Sequence, residues 1–250
     1  IMAGKVKLLP FDPGLEGYKV LLKYSKVLTG FYNSVIYTAF GTLISMFLTV
    51  CGAYPMSRPD FKVRGKILLM FAFTMWFTGG IIPTYMIVQK LGILDTRLAI
   101  LLPTAISFYN LTIVRTYFVN SIPKELNEAA RIDGCDDFRY LIKIALPLSV
   151  PVLAVVGMYY AVGQWNSYFH AFLYLQSQKL FPLQIVLRDI LILNSANDAI
   201  GDLEIASQRE YMAELLKYSL IVVSSLPVIL IYLLVQKHLI KGIMIGAIKG

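Results

Sequence analysis

NSIPKELNEAARIDGCDDFRYLIKIALPLSVP, residues 120–151, is the stretch whose reading decides the fold. Between Lys124 and Lys143 it holds nine charged residues: Lys124, Glu125, Glu128, Arg131, Asp133, Asp136, Asp137, Arg139 and Lys143. Each would cost about 2.5–3.5 kcal/mol at the centre of a bilayer. Everything on either side is dominated by long apolar runs, so this segment sits in water between spans. Its local grammar predicts two short helices. Pro123 stands where its missing N–H is harmless, and Glu125 lies near the positive end of the helix dipole. Leu126, Ala129 and Ala130 form a narrow face at i, i+3, i+4 spacing. Gly134 stops the first helix, Asp136 can cap the second, and the second meets Pro147.

Working outward, 57% of the chain is apolar and 15% charged. A soluble domain averages about a quarter charged. Long uncharged runs make this an all-α integral membrane protein rather than a barrel. Five spans are expected, at about 31–55, 67–88, 98–118, 148–163 and 215–235. Small residues within the first (Gly41, Ser45, Thr49, Gly52, Ala53) permit close helix packing in lipid, and Gly79-Gly80 with Pro83 predicts a kink in the second. Arg115 sits near the inner end of the third, placed to snorkel or to meet the charged loop.

Orientation follows from charge. The 57–66 loop has Arg58, Lys62, Arg64 and Lys66 against Asp60, and the tail has Lys237, Lys241 and Lys249 with no acid. Both read as cytoplasmic, together with the loop 120–147. The stretch 164–214 is mildly acidic and falls outside, as does a segment 1–30. That arrangement requires a span ahead of Ile1, which would make six. The formal net charge of +8 needs no nucleic acid to explain it, because cytoplasmic loops are enriched in Lys and Arg.

No catalytic set is visible. The chain has no G-x-x-x-x-G-K-[ST] phosphate loop, and Cys51, Cys135, His170 and His238 stand alone without metal spacing. Acids and bases avoid the spans almost completely, whereas ion-coupled carriers use intramembrane carboxylates or histidines as relays. Energy is therefore expected from a partner. A second informative stretch contains Tyr159, Tyr160, Gln164, Trp165, Asn166 and Tyr168. Aromatic faces beside amides and hydroxyls suit sugar rings, and the same residue types also build interfacial belts.

The charged loop resembles the EAA loop of the membrane subunits of ATP-binding-cassette importers, through Glu128-Ala129-Ala130, Asp133-Gly134, Ile144 and Leu146-Pro147. Cys135 stands where that family usually has Ala. WNSYFHAFLYLQ from Trp165, the turn 179–184 and the tail 237–250 resemble the oligosaccharide branch, which includes maltose-type permeases. The resemblance implies a type I importer transmembrane-subunit fold in a bacterial inner membrane, with a cytoplasmic C-terminus near the ATPase pair. It implies a coupling helix docked on a separate ATPase through Glu128, Ala129, Ala130, Asp133 and Gly134. For the two alanines, ordinary helix propensity is an alternative, and Asp133 can equally brace its own turn. Tyr159, Tyr160, Gln164, Trp165, Asn166 and Tyr168 would lie on the substrate path or outer gate. Expected partners are a second permease, two ATPase subunits carrying ATP and Mg, an extracytoplasmic solute-binding protein, an oligosaccharide and the lipid bilayer. The chain itself needs no cofactor and is not an enzyme. Alternatives are an importer of an amino acid, peptide or phosphate, or an ATP-independent channel or carrier.

Overall fold

From Val27 to Ser57 no charged side chain interrupts the sequence, and these residues form most of one helix. The computed structural model describes the backbone of residues 15–196 and 203–247, and the side chains of 15–190 and 215–237. Among them every regular element is helical. The long helix, α2 (Ser25–Ser57), follows a short α1 (Glu16–Lys23) and has 33 residues. At 1.5 Å per residue it is about 50 Å long, more than a bilayer's apolar thickness. Its exposed Leu43 and Phe47 suit lipid. Its inward stripe of Gly41, Ser45, Thr49 and Ala53 is buried.

The remaining helices differ from the five expected spans in instructive ways. The second span is two helices, α3 (Arg64–Trp76) and α4 (Ile81–Lys90), bent by 116°. Gly79-Gly80 makes the break, with Gly80 at φ 84, a conformation that costs glycine little. The expected third span is also divided, into α5 (Leu98–Leu101) and α6 (Phe108–Asn120), with Pro103 between them. Ser107 starts α6 by accepting from the Asn110 amide at 3.4 Å.

Residues of the charged loop form α7 (Lys124–Ile132) and α8 (Asp137–Tyr140). The latter runs on through a π turn (Leu141–Ala145) and α9 (Leu146–Leu148). Pro147 lacks the N–H a regular helix needs, and a wider turn is one way of absorbing the loss. An 83° bend then leads into α10 (Val150–Trp165), where Pro151 occupies the first turn.

The region 164–214, expected as a polar loop, is instead largely helical. It contains α11 (Tyr168–Tyr174), a 3₁₀ turn (Gln178–Leu180), α12 (Leu183–Ala196) and the start of α13 (Leu203–Ala247). Among the described residues, two single helices are long and apolar enough to cross a membrane, Ser25–Ser57 and Leu215–Lys237, and up to four spans result if each bent pair counts as one. The expected segment 1–30 overlaps α1, which packs on α13. A Cβ at Gly17 would stand 2.3 Å from Ser219 Oγ. Residues 1–14, 197–202 and 248–250, parts of the expected outer segments and tail, lie outside the described residues.

Helix α2 is the axis of the bundle, lying against α6, α10 and α12. Its Gly52 leaves 3.0 Å between a built Cβ and Leu111 Cδ1 of α6. On the α10 side a Cβ at Gly41 would come 2.6 Å from Gln164 Cδ. Close approach through small residues gives packing contact that lipid does not supply.

Candidate functional site

At the end of α2, the loop to α3 and the helices α7 and α8 surround a cleft of about 460 Å³. Helix α7 begins after Pro123 and ends as its geometry requires. Gly134 has φ 70, its amide donates to Arg131 O at 3.1 Å, and Cys135 N reaches back to Ala130 O at 2.8 Å. Asp136 caps α8 by accepting from the Arg139 amide at 2.6 Å.

The two faces of α7 have different surroundings. Ala130 is 7% exposed and packs with Tyr54, Phe118, Ile122 and Tyr140. It therefore seats the helix on its own bundle, while its neighbour Ala129 faces outward. Ala129, Glu128, Asp133 and Gly134 are exposed, and Glu128 makes no ion pair among the described residues. Ile132 is 86% and Phe138 72% exposed, an apolar pair beside the acids. Arg131 is paired with Asp60, which pushes the guanidinium further into its charged form.

Arginines also finish α2. Arg115 Nε donates to Met56 O at 2.9 Å, so it caps that helix end rather than snorkelling to lipid headgroups. Arg58 Nη2 donates to Asn127 Oδ1 at 2.7 Å and lies 3.5 Å from Asp137 Oδ1.

The aromatic stretch is divided differently from its expected role. Trp165 is 2% exposed, stands edge-on to Phe31 at 5.6 Å and donates from Nε1 to Ser224 O at 2.9 Å. It pins α10 to α13 inside a core with Leu21, Leu183 and Leu220, so it is no open platform for a sugar. Tyr160 Oη accepts from the Ser107 amide at 3.1 Å and shares a 2.7 Å hydrogen bond with the Thr49 hydroxyl. Buried Gln164 donates from Nε2 to Thr104 Oγ1 at 3.0 Å. These two belong to the polar seam between helices, in which Gln164 Oε1 is buried without a partner among the described residues. Tyr159 and Asn166 are exposed, and half-buried Tyr168 stacks on Phe172 at 6.0 Å.

A model of the family described as "binding-protein-dependent transport system inner membrane component" matches residues 26–245. The chain belongs to this family. Among its relatives, the polygalacturonan/rhamnogalacturonan transport system permease protein YtcP of Bacillus subtilis is 40% identical over 251 residues, covering 100% of this chain and 87% of the relative. Protein LplC of the same organism is 40% identical over 237 residues, 94% of this chain and 79% of the relative. A crystal structure of a bacterial ABC transporter involved in the import of the acidic polysaccharide alginate contains a chain that superposes with a TM-score of 0.83 at 36% identity. The match covers 94% of this chain and 82% of that one. Family membership makes the protein a membrane-embedded transport component, not an enzyme, in a system that depends on a separate binding protein.

The family member also carries an anchoring set that sequence reasoning missed. Near the start of α2, Asn33 Nδ2 donates to Lys179 O at 2.7 Å and Phe181 O at 3.1 Å, and Tyr37 Oη donates to Leu180 O at 2.7 Å. Ser34 Oγ accepts from the Leu183 amide at 2.9 Å, and Arg97 Nη2 donates to Asn33 Oδ1 at 3.2 Å. Asp95 Oδ1 accepts from the Gln176 and Ser177 amides, each at 2.8 Å, and Asp95 Oδ2 from the Ser177 hydroxyl. Those donors, the Ser177 hydroxyl foremost, hold the Asp95 carboxyl below the usual carboxylate range. A polar residue or two near the start of an apolar helix was the only local signal, and it named no partner.

Proposed function

We propose that this protein is a permease subunit of an ATP-driven, binding-protein-dependent importer of oligosaccharides, with α7 docked on a separate ATPase. The observation that carries the reading is the free edge of α7 and α8. The acids Glu128 and Asp133 and the small residues Ala129 and Gly134 line it, and Ile132 and Phe138 stand out from it. Each of those two apolar side chains gains about 1.5–3 kcal/mol on full burial, which favours a protein groove over water at this edge.

In this reading the full assembly holds a second permease, two ATPase subunits that carry ATP and Mg, and an extracytoplasmic binding protein. Charge supports placing the 57–66 loop, α7, α8 and the C-terminus on the ATPase side. The saccharide class is supported by relatives whose names concern polygalacturonan, rhamnogalacturonan and alginate. Tyr159, Asn166 and Tyr168 keep exposed or half-exposed polar and aromatic surface, and are the members of the aromatic stretch proposed for the substrate side. A rigid helix clamped in a partner's groove passes the partner's closure to the helices beside it, and so turns the pathway toward or away from the binding protein.

The test is purification of the tagged chain from its own cells, followed by reconstitution and uptake of labelled oligosaccharides. Two ATPase copies and a second permease are expected to accompany the chain. Gly134→Trp places a bulky side chain at positive φ on the docking edge, so it is expected to release the ATPase and stop uptake. A chain that emerges without an ATPase, or uptake that continues without ATP, overturns the proposal.

A further inference from the structure

We propose that Arg58 is a positioning residue that fastens both coupling helices to α2, so that a displacement of α7 and α8 reaches the opposite end of the bundle. The inference rests on the transport reading above.

The Arg58 side chain is 15% exposed although it carries a full charge at the end of a long apolar helix. A charge so placed needs partners. It has them on three elements at once: Asn127 in α7 at 2.7 Å, Asp137 in α8 at 3.5 Å, and the rings of Tyr54 and Tyr140, whose centroids lie 5.8 and 5.6 Å from the guanidinium carbon. Tyr54 lies in α2 and Tyr140 in α8, and Tyr54 Oη donates to Asp137 O at 3.1 Å. A planar guanidinium can stand over two rings while one of its nitrogens, Nη2, donates to Asn127 and stays within ion-pair range of Asp137.

The neighbouring attachment is weaker. Arg131 and Asp60 are 51% and 58% exposed, and water and salt screen such a pair; Asp137 is 66% exposed, so the sheltered part of the Arg58 attachment is Asn127 and the two rings. Side chains connect the coupling helices to α2: Arg58 through its polar contacts, and Tyr54, Ala130 and Tyr140 through the packed core beside it. From Arg58 to Asn33 the helix spans about 37 Å. At that far end Asn33, Ser34 and Tyr37 hold the segment 179–183. One rod thus joins the coupling helices to a segment on the opposite face.

The experiment uses the complete transporter in proteoliposomes with its own binding protein and compares wild type with Arg58→Ala and Arg58→Lys. In both variants the ATPase subunits are expected to co-purify and to hydrolyse ATP at the basal rate of the wild type. Stimulation by the loaded binding protein, and uptake, are expected to fall about tenfold or more. Asn127→Ala should give a smaller loss and add little to Arg58→Ala, as expected of residues in one network. Full stimulation and uptake in Arg58→Ala would overturn the inference. Loss of the ATPase from both Arg58 variants would also overturn it, since Arg58 would then serve docking or folding alone. A wild-type complex that lacks an ATPase refutes the transport reading itself, so the two failures are distinguishable.

Discussion

Trp165 separates a packing role from a substrate role by magnitude. Its indole fills a core between α1, α10, α12 and α13, and its one polar atom is satisfied by Ser224 O. Trp165→Phe removes that hydrogen bond and part of the ring, a loss of about 1 kcal/mol. Trp165→Ala leaves a cavity and removes the edge-on contact with Phe31, a loss of about 3–5 kcal/mol. Lipid does not cancel this, because association of helices within a membrane depends on packing contact. For a chain of this size each kcal/mol moves the midpoint by roughly 2–4 °C, so the Ala variant should melt about 6–20 °C lower. Heating the purified complex and scoring what remains soluble and assembled by gel filtration measures the shift, and uptake below the transition measures function. Near-normal saccharide affinity in whatever remains folded is expected. An Ala variant that melts with the wild type but has lost affinity for the saccharide would refute the reasoning and place the ring on the substrate path.

Two further outcomes follow from contacts already described. Gly41→Ala drives a methyl group into Gln164, with an overpacking cost of about 1–3 kcal/mol, and adding Gln164→Ala should recover part of the lost thermal stability in a double-mutant cycle. For Asp95, the folded carboxyl titrates below its unfolded range, so its contribution is fully present above the ordinary aspartate pKa of about 3.9 and is lost as pH falls through the folded value. Asp95→Asn should therefore lower stability at neutral pH and flatten its decline in acid. A melting curve for the variant parallel to wild type down to pH 3 would contradict this.

How far the sequence reveals the fold depends on the range of the signal. The end of α7 is legible because Gly134 and Asp136 act on their immediate neighbours, and the break at Gly79-Gly80 is legible for the same reason. The size of that bend is set by what α3 and α4 pack against, and no residue at the break encodes it. Pro103 divides the third apolar run, yet a proline within such a run is also compatible with one kinked span. Between 164 and 196, polar residues suggest a loop, but Asn33, Ser34 and Tyr37 take up the backbone groups that make the turn into α12 affordable.

The candidate site divides in the same way. Exposure of Glu128 and Asp133 follows from their charge. Ala129 and Ala130 are identical in sequence terms, and only the position of Tyr54, Phe118 and Tyr140 decides which one is buried. Trp165 and Tyr168 look alike beside amides and hydroxyls. Helices α1 and α13, remote in the chain, bury the first and leave the second half open.

The clasp between Asn33 and Lys179 also has a consequence for synthesis. Its two halves lie 146 residues apart in the chain. At roughly 5–20 residues per second, α2 waits about 7–30 s in or beside the membrane before the carbonyls that satisfy its amide exist. During that interval Asn33, Ser34 and Tyr37 must borrow water, lipid headgroups or an insertion factor. Closure of this clasp is thus a late event in the life of the nascent chain, and a chain halted before Lys179 would leave the trio without the backbone groups that claim it.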